Sequence, residues 1–322
     1  MTVDAEGRVF VEAGARLHFG VLDLRGSLGR WFGGIGAATS APTLLLSAAR
    51  ADTLETEGDD SVRAAEFARR FREHYNIRRG AHLRVHRALP PHAGLGSGTQ
   101  LALAVGRALA ELYEISIDAP GLARAVGRAR RSAIGTWTFD KGGLVVEGGR
   151  PRDGNECGPL IARLAFPHDW RCVIAVPDAE QGLSGTMEEE AFAQLPAPPE
   201  AEVERVAHVV LMALLPALAD ADLPAFGSAL SHIQEVTGRW FAAVQGSTFA
   251  PGISEELVRR MKEWGASGVG QSSWGPTVYG IVRGEAAAKT LADNVRATLG
   301  SAGDVHEGPF RAEGARVWHG SG

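Results

Sequence analysis

The sequence predicts a mixed α+β protein built from two lobes. Its 322 residues exceed the usual size of a single hydrophobic core, which favours two domains. Stretches of alternating polarity, typical of β-strands, are interspersed along the chain with stretches that have the helical spacing of apolar residues. A polar stretch rich in Gly and Pro at residues 150–159 marks the predicted boundary, so we expect domains at residues 1–160 and 161–322.

The first half of the chain predicts strands and helices in alternation. Short apolar or alternating runs predict strands at residues 8–13, 15–20, 43–48, 81–88 and 142–149. Apolar residues spaced for one helix face predict helices at residues 60–75, 100–113 and 120–132. The helix at 100–113 is apolar on most of its faces, as in a buried helix, whereas the helix at 120–132 has a basic face.

The second half has the same mixture with longer helices. Strands are predicted at residues 171–177, 277–282 and 315–318. Helices are predicted at residues 203–219, 223–246, 254–264 and 285–299. The apolar segment 206–218 suits a homodimer interface as well as it suits a core, so the sequence leaves both open.

Composition and charge argue against several classes of function. The net charge is -5 and no strongly basic patch is visible in the sequence, so a nucleic acid is not expected as a partner. No apolar run approaches the roughly 20 residues that span a bilayer, so no membrane partner is expected. The acidic first six residues do not resemble a signal peptide, and two cysteines fit a reducing compartment, which predicts a cytoplasmic protein.

Arginine carries nearly all of the positive charge, since the lysines are only Lys141, Lys262 and Lys289. GC-rich codon usage is sufficient to account for most of these arginines. Any anion site in the chain is nevertheless expected to use mainly arginine and backbone amides. Arginine suits the bidentate recognition of phosphate and carboxylate groups.

The strongest functional signal is a glycine-rich turn between a predicted strand and a predicted helix. It reads Pro90-Pro91-His92-Ala93-Gly94-Leu95-Gly96-Ser97-Gly98-Thr99. Glycines let a ligand approach the backbone, and a helix start directs N–H groups and the positive end of the helix dipole to one point. The turn therefore predicts a phosphate site, with a tight connection capped by Ser97 as the alternative. It has neither the Gly-Lys-Ser/Thr of a Walker loop nor a visible dinucleotide-binding βαβ unit.

Three motifs, in order along the chain, resemble those of the GHMP kinase superfamily of small-molecule kinases. The phosphate-wrapping segment of that superfamily is matched by Pro90, Gly94, Leu95, Gly96 and Ser97. Gly98 stands where a second serine is usual, residues 13–20 fall where the N-terminal motif lies, and residues 267–275 fall where the C-terminal glycine-rich motif lies. The resemblance implies a two-lobed fold with a ribosomal-S5-like N-terminal domain and a ferredoxin-like C-terminal domain.

The outer motifs depart from ordinary kinases and resemble another branch, the β-ribofuranosylaminobenzene 5'-phosphate synthase family. The residues that carry this resemblance are Arg16-Leu17-His18-Phe19-Gly20, residues 135–143 and residues 270–276. The resemblance implies an enzyme that joins phosphoribosyl pyrophosphate to para-aminobenzoate or para-hydroxybenzoate and releases CO2 and pyrophosphate, in tetrahydromethanopterin biosynthesis. Mg²⁺ is expected on the pyrophosphate, because it stabilises the leaving charge, and no ATP is expected.

The resemblance also implies roles for single residues. The turn from Gly94 to Thr99 would hold phosphate or pyrophosphate. Asp140 would hold Mg²⁺ or stabilise the ribosyl cation, and Lys141 would neutralise phosphate; the alternative is a solvated ion pair in a glycine-flanked surface turn. Arg16 and His18 share one face of a strand and would bind the arene carboxylate or a phosphate, unless that face is a solvent-facing edge.

The C-terminal motif would contribute polar donors from Gln271, Ser272 and Ser273 and a flat surface from Trp274, on which the arene ring can stack. The alternative for Trp274 is a core position. Its bulk argues against a loop that folds over a triphosphate. An ATP-dependent kinase and a non-enzymatic ligand sensor are the remaining alternatives, and the sequence does not choose between the two benzoates.

Overall fold

The computed structural model describes residues 7–154, 156–178 and 185–320, which form two β-sheets with helices packed around them. The strands in chain order are β1 (Arg8–Asp23), β2 (Arg30–Ala51), β3 (Glu55–Gly58), β4 (Gly80–Arg87), β5 (Leu144–Glu147), β6 (Arg150–Pro151), β7 (Leu160–Leu164), β8 (Trp170–Pro177), β9 (Gly268–Gln271), β10 (Val278–Arg283), β11 (Gly303–Pro309) and β12 (Arg316–Gly320). The helices are α1 (Ser61–His74), α2 (Ser97–Leu112), α3 (Ala119–Ala125), α4 (Ile134–Lys141), α5 (Gly185–Gln194), α6 (Glu200–Val209), α7 (Leu215–Ala219), α8 (Leu223–Gln245), α9 (Ile253–Glu263) and α10 (Glu285–Leu299). A π-helical turn, Val210–Leu214, joins α6 to α7. Within the described ranges, no helix combines the length and the apolar character needed to cross a membrane.

The first sheet is organised around β2, whose 22 residues pair with four other strands. β1 runs antiparallel to it along most of its length, while β4 pairs with its C-terminal part and β5 with its N-terminal part. β12 pairs with the other edge of β1, and β3 lies beyond β4. The strands predicted at residues 8–13 and 15–20 are one continuous strand, because two register shifts, near Gly14 and His18, let the pairing with β2 continue.

Alternation along β1 places one set of its side chains in the core. Val9, Val11, Leu17 and Phe19 have no exposed surface, as a period of two predicts. α2 packs against β1 and β2 and also against α1, so it is buried on nearly all sides. The prediction of a buried helix is confirmed, and this helix begins at Ser97, directly after the glycine-rich turn.

The second sheet has the strand order β11-β8-β10-β9, and all neighbouring strands are antiparallel. Helices α5 to α9 connect β8 to β9, and α10 connects β10 to β11, which produces a β-α-β-β-α-β order. α9 and α10 share a core with this sheet through residues such as Leu257 and Leu291. These features confirm the α+β fold class and the ferredoxin-like C-terminal domain.

The first sheet extends across the boundary that the sequence predicts between residues 160 and 161. β7 begins at Leu160 and pairs with β5, so this sheet continues to Leu164. The chain then forms the second sheet and returns, since β12 pairs with β1. The first lobe therefore combines the N-terminal part of the chain with residues 316–320. Periodicity predicted a closing strand but carries no information about which strand it pairs with.

Two local predictions about the segment before β5 are wrong. The helix predicted at 120–132 is the much shorter α3, because Gly127 adopts a left-handed backbone with φ +71°. The glycine-flanked turn predicted at Asp140 and Lys141 is instead the last turn of α4. That helix ends at Lys141 and is followed by Gly142, whose φ of +62° favours glycine.

The two lobes meet where the glycine-rich turn of the first packs against the turn at residues 272–275 of the second. A Cβ atom on Gly94 would overlap the carbonyl oxygen of Ser272, and one on Gly275 would overlap a carbonyl oxygen of the first turn. The Ser272 hydroxyl donates to the Gly94 carbonyl oxygen at 2.7 Å and accepts from the His18 N–H at 3.0 Å. We call this arrangement the inter-turn contact, and it brings β1 and both turns together.

Replacing Gly94 by alanine should disrupt the inter-turn contact. The added Cβ overlaps the Ser272 carbonyl oxygen, and the φ of +85° at Gly94 disfavours any side chain. We expect Gly94→Ala to lower the free energy of unfolding by about 3 kcal/mol, through about 1–2 kcal/mol of backbone strain and about 1–3 kcal/mol of overlap. Urea denaturation of the purified variant measures this loss.

Gly265→Ala is the matched control for this substitution. Gly265 has a similar φ of +93°, but nothing lies within 4 Å of an added Cβ. The free energy of unfolding of Gly265→Ala should therefore fall only by the amount due to backbone strain, about 1–2 kcal/mol. Equal losses in the two variants would show that close packing of the turns does not contribute to stability.

Candidate active site

A cavity of about 1050 Å³ lies between the glycine-rich turn and the second lobe. Its lining includes residues of β1, the start of α2, the irregular segment that follows α3, and the turn at Ser273 and Trp274. Ligand sites commonly measure about 300–1,000 Å³. This cavity therefore has room for two small molecules at the same time.

The glycine-rich turn forms one wall of the cavity at the N-terminus of α2. Of the six residues predicted there to bind phosphate, all except Leu95 line the cavity, and the Leu95 side chain is buried in the core. The first N–H groups of a helix have no acceptor within it, so those of Ser97 and Gly98 face outward with the positive end of the dipole. The Arg16 N–H holds the turn in place by donating to the Leu95 carbonyl oxygen at 3.0 Å.

Two guanidinium groups converge on Gly98 in the first turn of α2. A Cβ atom on Gly98 would lie 3.1 Å from Arg128 Nη2 and 3.4 Å from Arg63 Nη1. Asp60 binds Arg63 through both carboxylate oxygens, with Oδ1 accepting from Nε at 2.7 Å, so Nη1 is the nitrogen turned towards Gly98. The Arg128 guanidinium lies 4.7 Å from the centre of the Phe67 ring, a cation–π distance. Glycine in place of the usual second serine makes room for both arginines.

The cavity is strongly basic, although the chain as a whole is acidic. Glu73 is the one carboxylate among its described lining residues, against seven arginines. The seven are Arg16, Arg63, Arg70, Arg124, Arg128, Arg130 and Arg131. The sequence showed only the basic face at residues 120–132, because the seven arginines come from three separate segments that the fold brings together. Such surroundings favour a ligand with several negative charges.

Another part of the cavity wall is aromatic and centred on Trp274. Its ring lies 4.7 Å from that of Phe241 and 5.6 Å from that of Phe192, and both contacts are edge-on. Phe32 extends the cluster, since its ring lies 5.5 Å from that of Phe192. All four side chains line the cavity. This Trp274 cluster suits a flat ring, and its three phenylalanines come from segments in which the sequence offered no functional signal.

Arg16 and His18 both line the cavity from β1, where residues two apart share a face. Arg16 Nη1 donates to the Gly94 carbonyl oxygen at 2.9 Å, so this side chain also supports the turn. Burial and the nearby Arg16 charge lower the pKa of His18 to about 3, and its imidazole is neutral at neutral pH. His18 Nε2 lies 3.5 Å from Ser132 Oγ. A neutral His18 can hydrogen-bond a ligand but cannot attract a carboxylate by charge.

The C-terminal motif divides into lining residues and supporting residues. Ser273 and Trp274 line the cavity, whereas Ser272 is taken up by the inter-turn contact. The Gln271 side chain accepts from a backbone N–H at 2.6 Å and donates to the Gln245 side chain at 2.8 Å. Its amide group is therefore occupied within the second lobe, where it supports the turn that carries Ser273 and Trp274.

The structure does not bring Asp140 and Lys141 to the cavity. Both lie in the last turn of α4, while Ser132, just before this helix, lines the cavity wall. An eight-residue helix is about 12 Å long, which separates the two ends. Lys141 Nζ and Asp140 Oδ2 form a partly exposed ion pair at 3.1 Å. This arrangement matches the solvated ion pair that was the alternative to a functional role.

The described residues do not form a resident Mg²⁺ site at this cavity. Mg²⁺ takes oxygen ligands, commonly one or two carboxylates together with substrate phosphates. Glu73 is the sole carboxylate among the described lining residues, and no group of three His, Cys, Asp or Glu side chains suited to a metal occurs in the described ranges. Any Mg²⁺ here would have to be held chiefly by the oxygens of a substrate.

Comparison with known proteins assigns both lobes to one superfamily. The family profile described as GHMP kinases N terminal domain matches residues 62–139, and that described as GHMP kinases C terminal matches residues 214–301. Homoserine kinase from Cytophaga hutchinsonii has a TM-score of 0.69 at 16% identity over 99% of both chains. Mevalonate pyrophosphate decarboxylase from Streptococcus pyogenes has a TM-score of 0.68 at 14% identity, over 97% of this chain and 99% of that chain. These structures share the fold.

Relatives of higher identity narrow the family. β-Ribofuranosylphenol 5'-phosphate synthase from Archaeoglobus fulgidus is 38% identical over 279 residues, which cover 83% of this chain and 85% of that protein. The protein of the same name from Methanothermobacter thermautotrophicus is 33% identical over 294 residues, which cover 85% and 88%. These matches confirm the branch that the sequence motifs indicated. The chain belongs to the β-ribofuranosylphenol 5'-phosphate synthase family of the GHMP kinase superfamily.

Proposed function

We propose that this enzyme joins phosphoribosyl pyrophosphate to a para-substituted benzoate and releases CO2 and pyrophosphate. The arene carbon that carries the carboxylate bonds to C1 of the ribose as the bond between C1 and the pyrophosphate oxygen breaks. CO2 then leaves, and the electron pair of its bond to the ring restores the aromatic system. The product is a ribofuranosyl arene 5'-phosphate, an intermediate of tetrahydromethanopterin biosynthesis.

One observation carries this proposal: a single cavity combines an arginine-rich wall with an aromatic wall. Phosphoribosyl pyrophosphate has two phosphate-bearing ends, and a benzoate has a flat ring with one carboxylate. Seven arginines suit the first substrate, and the Trp274 cluster suits the second. Holding both reactants in one site supplies proximity, and fixed positive charge stabilises pyrophosphate as it leaves.

The N-terminus of α2, together with Arg63 and Arg128, is our candidate for the pyrophosphate subsite. The two guanidinium groups approach the same point beside Gly98, where the outward N–H groups of the first helix turn add further donors. Pyrophosphate gains negative charge as its bond to ribose breaks. Donors held at this point therefore stabilise the transition state more than the bound substrate.

The Trp274 cluster is our candidate for the arene subsite. Arg16 supplies a positive charge for the benzoate carboxylate, and the neutral His18 supplies a hydrogen bond. The name of the archaeal relatives specifies a phenol as the product. This supports para-hydroxybenzoate rather than para-aminobenzoate as the acid that this enzyme uses.

Mg²⁺ enters this proposal with the substrate, held by pyrophosphate oxygens rather than by a cluster of protein carboxylates. ATP takes no part in the reaction. Trp274 occupies the motif in which ordinary kinases of the superfamily have glycine, and its ring packs edge-on against Phe192 and Phe241 in the cavity that the glycine-rich turn also lines. Membership of a synthase family also argues against the ATP-dependent kinase that the sequence left open.

We propose a cytoplasmic enzyme that acts on small molecules, with no nucleic-acid or membrane partner. We also propose that the apolar segment 206–218 contributes to a homodimer interface. Val206 and Leu214 of this segment are buried in the core, so it supports the fold. Leu211 and Met212, with 58% and 68% of their surface exposed on the π-helical turn, are the contact points that a dimer would use.

The proposed reaction predicts release of carboxyl carbon. Purified enzyme with Mg²⁺, phosphoribosyl pyrophosphate and carboxyl-labelled para-hydroxybenzoate should release labelled CO2 and an equal amount of pyrophosphate, without ATP. Omitting either substrate should abolish the release, and a parallel reaction with para-aminobenzoate measures the preference between the acids. No release from either acid, together with ATP-dependent phosphorylation of a small alcohol, would overturn the proposal.

Arg63→Gln should weaken the binding of phosphoribosyl pyrophosphate. A hydrogen bond to a charged group contributes about 1.5–3 kcal/mol, so we expect the KM for this substrate to rise about 10- to 100-fold. Arg69→Gln makes the same change on an exposed side chain of the same helix and should leave KM unchanged. Initial rates of CO2 release at varied substrate concentration measure both values, and equal KM values would remove Arg63 from the pyrophosphate subsite.

A further inference from the structure

Glu147, the last residue of β5, is a buried acid with no part in the reaction proposed above. None of its surface is exposed, and it lies behind the cavity wall rather than in the lining. Burying an acid is costly unless its oxygens have hydrogen-bond partners. The hydrogen-bond partners of the Glu147 carboxylate therefore indicate its structural role.

Both oxygens of the Glu147 carboxylate accept hydrogen bonds from backbone N–H groups. Oε1 accepts from Ala133 at 3.3 Å, and Oε2 accepts from Gly149 at 2.7 Å. Ala133 immediately precedes the first residue of α4, so the carboxylate caps this helix from a neighbouring strand. The space is fitted to it, since a Cβ atom on Gly158 would overlap Oε2.

The backbone that Glu147 holds is continuous with the basic wall of the cavity. Residues 130–132 line the cavity and directly precede Ala133. The hydroxyl of Ser132 is the group that lies 3.5 Å from His18 Nε2. A shift of Ala133 would therefore move two arginine side chains and the partner of His18 together.

We infer that Glu147 is a positioning residue, whose carboxylate fixes the backbone before α4 and thereby directs the side chains of residues 130–132 into the cavity. Glu147 itself touches neither substrate. The inference rests on the proposed function, because it assigns pyrophosphate and phosphate groups to that cavity. It adds a residue behind the site on which substrate affinity depends.

Protonation of Glu147 should weaken its hold on the helix start. Burial raises the pKa of this carboxyl to about 7, although the hydrogen bonds from Gly149 and Ala133 act to lower it. A protonated carboxyl carries a donor where one of these N–H groups needs an acceptor. Only the ionised carboxylate accepts from both N–H groups and so fixes the backbone before α4. Substrate affinity should therefore rise as the pH increases through about 7.

Among the described residues, three other ionisable groups lie near Glu147, and they come from separate elements. Arg30 of β2 places a positive charge near the Glu147 carboxylate. Cys157, in the segment before β7, has a pKa raised to about 12 by burial. His18 of β1 has a pKa of about 3 and stays neutral, and its Nε2 and Glu147 Oε1 both lie within 3.5 Å of a Cβ on Gly34. Neither Cys157 nor His18 changes charge near pH 7.

Glu147→Gln tests the inference with little change of shape. The glutamine amide can accept from one N–H group but presents a donor to the other. At pH 8 we expect the KM for phosphoribosyl pyrophosphate and the calorimetric Kd of inorganic pyrophosphate each to rise about tenfold, with kcat changed less. The increase of kcat/KM through pH 7 should be smaller in the variant than in the wild type, because only the part due to titration of the substrate's phosphate groups remains. Glu66→Gln, on the exposed face of α1, should match the wild type in all these measurements.

Pyrophosphate binding separates this inference from the proposed function, because it does not require turnover. CO2 release with unchanged Kd, KM and pH profile in Glu147→Gln would overturn the positioning role alone. A second outcome is that the wild type releases no CO2 while Glu147→Gln binds pyrophosphate more weakly than the wild type does. That result would overturn the proposed synthase reaction and support the positioning role. If Glu147→Gln does not fold, Gly158→Ala crowds Oε2 while keeping the acid. It should raise the same Kd, and an unchanged value would overturn the inference.

Discussion

The inter-turn contact is the constraint on which the site depends. A single hydroxyl, that of Ser272, joins the His18 N–H of β1 to the Gly94 carbonyl oxygen of the glycine-rich turn. The arginines of the basic wall belong to the first lobe, and Trp274 follows Ser272 by two residues in the second. Without close approach of the two turns, the basic and aromatic walls would not enclose one volume. The glycines at this junction serve packing as much as ligand access, since side chains there would overlap backbone atoms.

Concentrating positive charge in one cavity has a cost in the free enzyme, because like charges repel and burial removes their hydration. The structure distributes this cost among local partners. Asp60 binds Arg63, the Phe67 ring supports Arg128, and the Gly94 carbonyl oxygen accepts from Arg16. The same field keeps His18 neutral, since burial and the neighbouring Arg16 both disfavour its protonated form. A polyanionic ligand would relieve the repulsion among these arginines, and this relief would add to its binding free energy.

Local patterns pointed to those parts of the candidate site that lie in short continuous segments. The glycine-rich turn, Arg16, His18 and Trp274 belong to motifs whose spacing is visible along the chain, and all four line the cavity. The fold class and the family followed from the same motifs. Phe192 could not be predicted, because a single phenylalanine in a helix carries no signal until packing places it beside Trp274. Asp140 was expected at the site because of its motif. The actual backbone places it at the far end of α4, and helix geometry rather than residue type decides which end faces the ligand.

The pairing of β12 with β1 has a consequence for how the chain acquires its shape. Arg8 is synthesised about 300 residues before Gly320, its partner in the sheet. Throughout synthesis of the second lobe, one edge of β1 remains without this neighbour. An unpaired strand edge is a template for association with other chains, and contacts so distant in sequence form slowly. The strand that carries Arg16 and His18 is therefore synthesised long before the strand that covers its edge. Until β12 is made, this edge of β1 needs a protection that a lobe made of consecutive residues would not need.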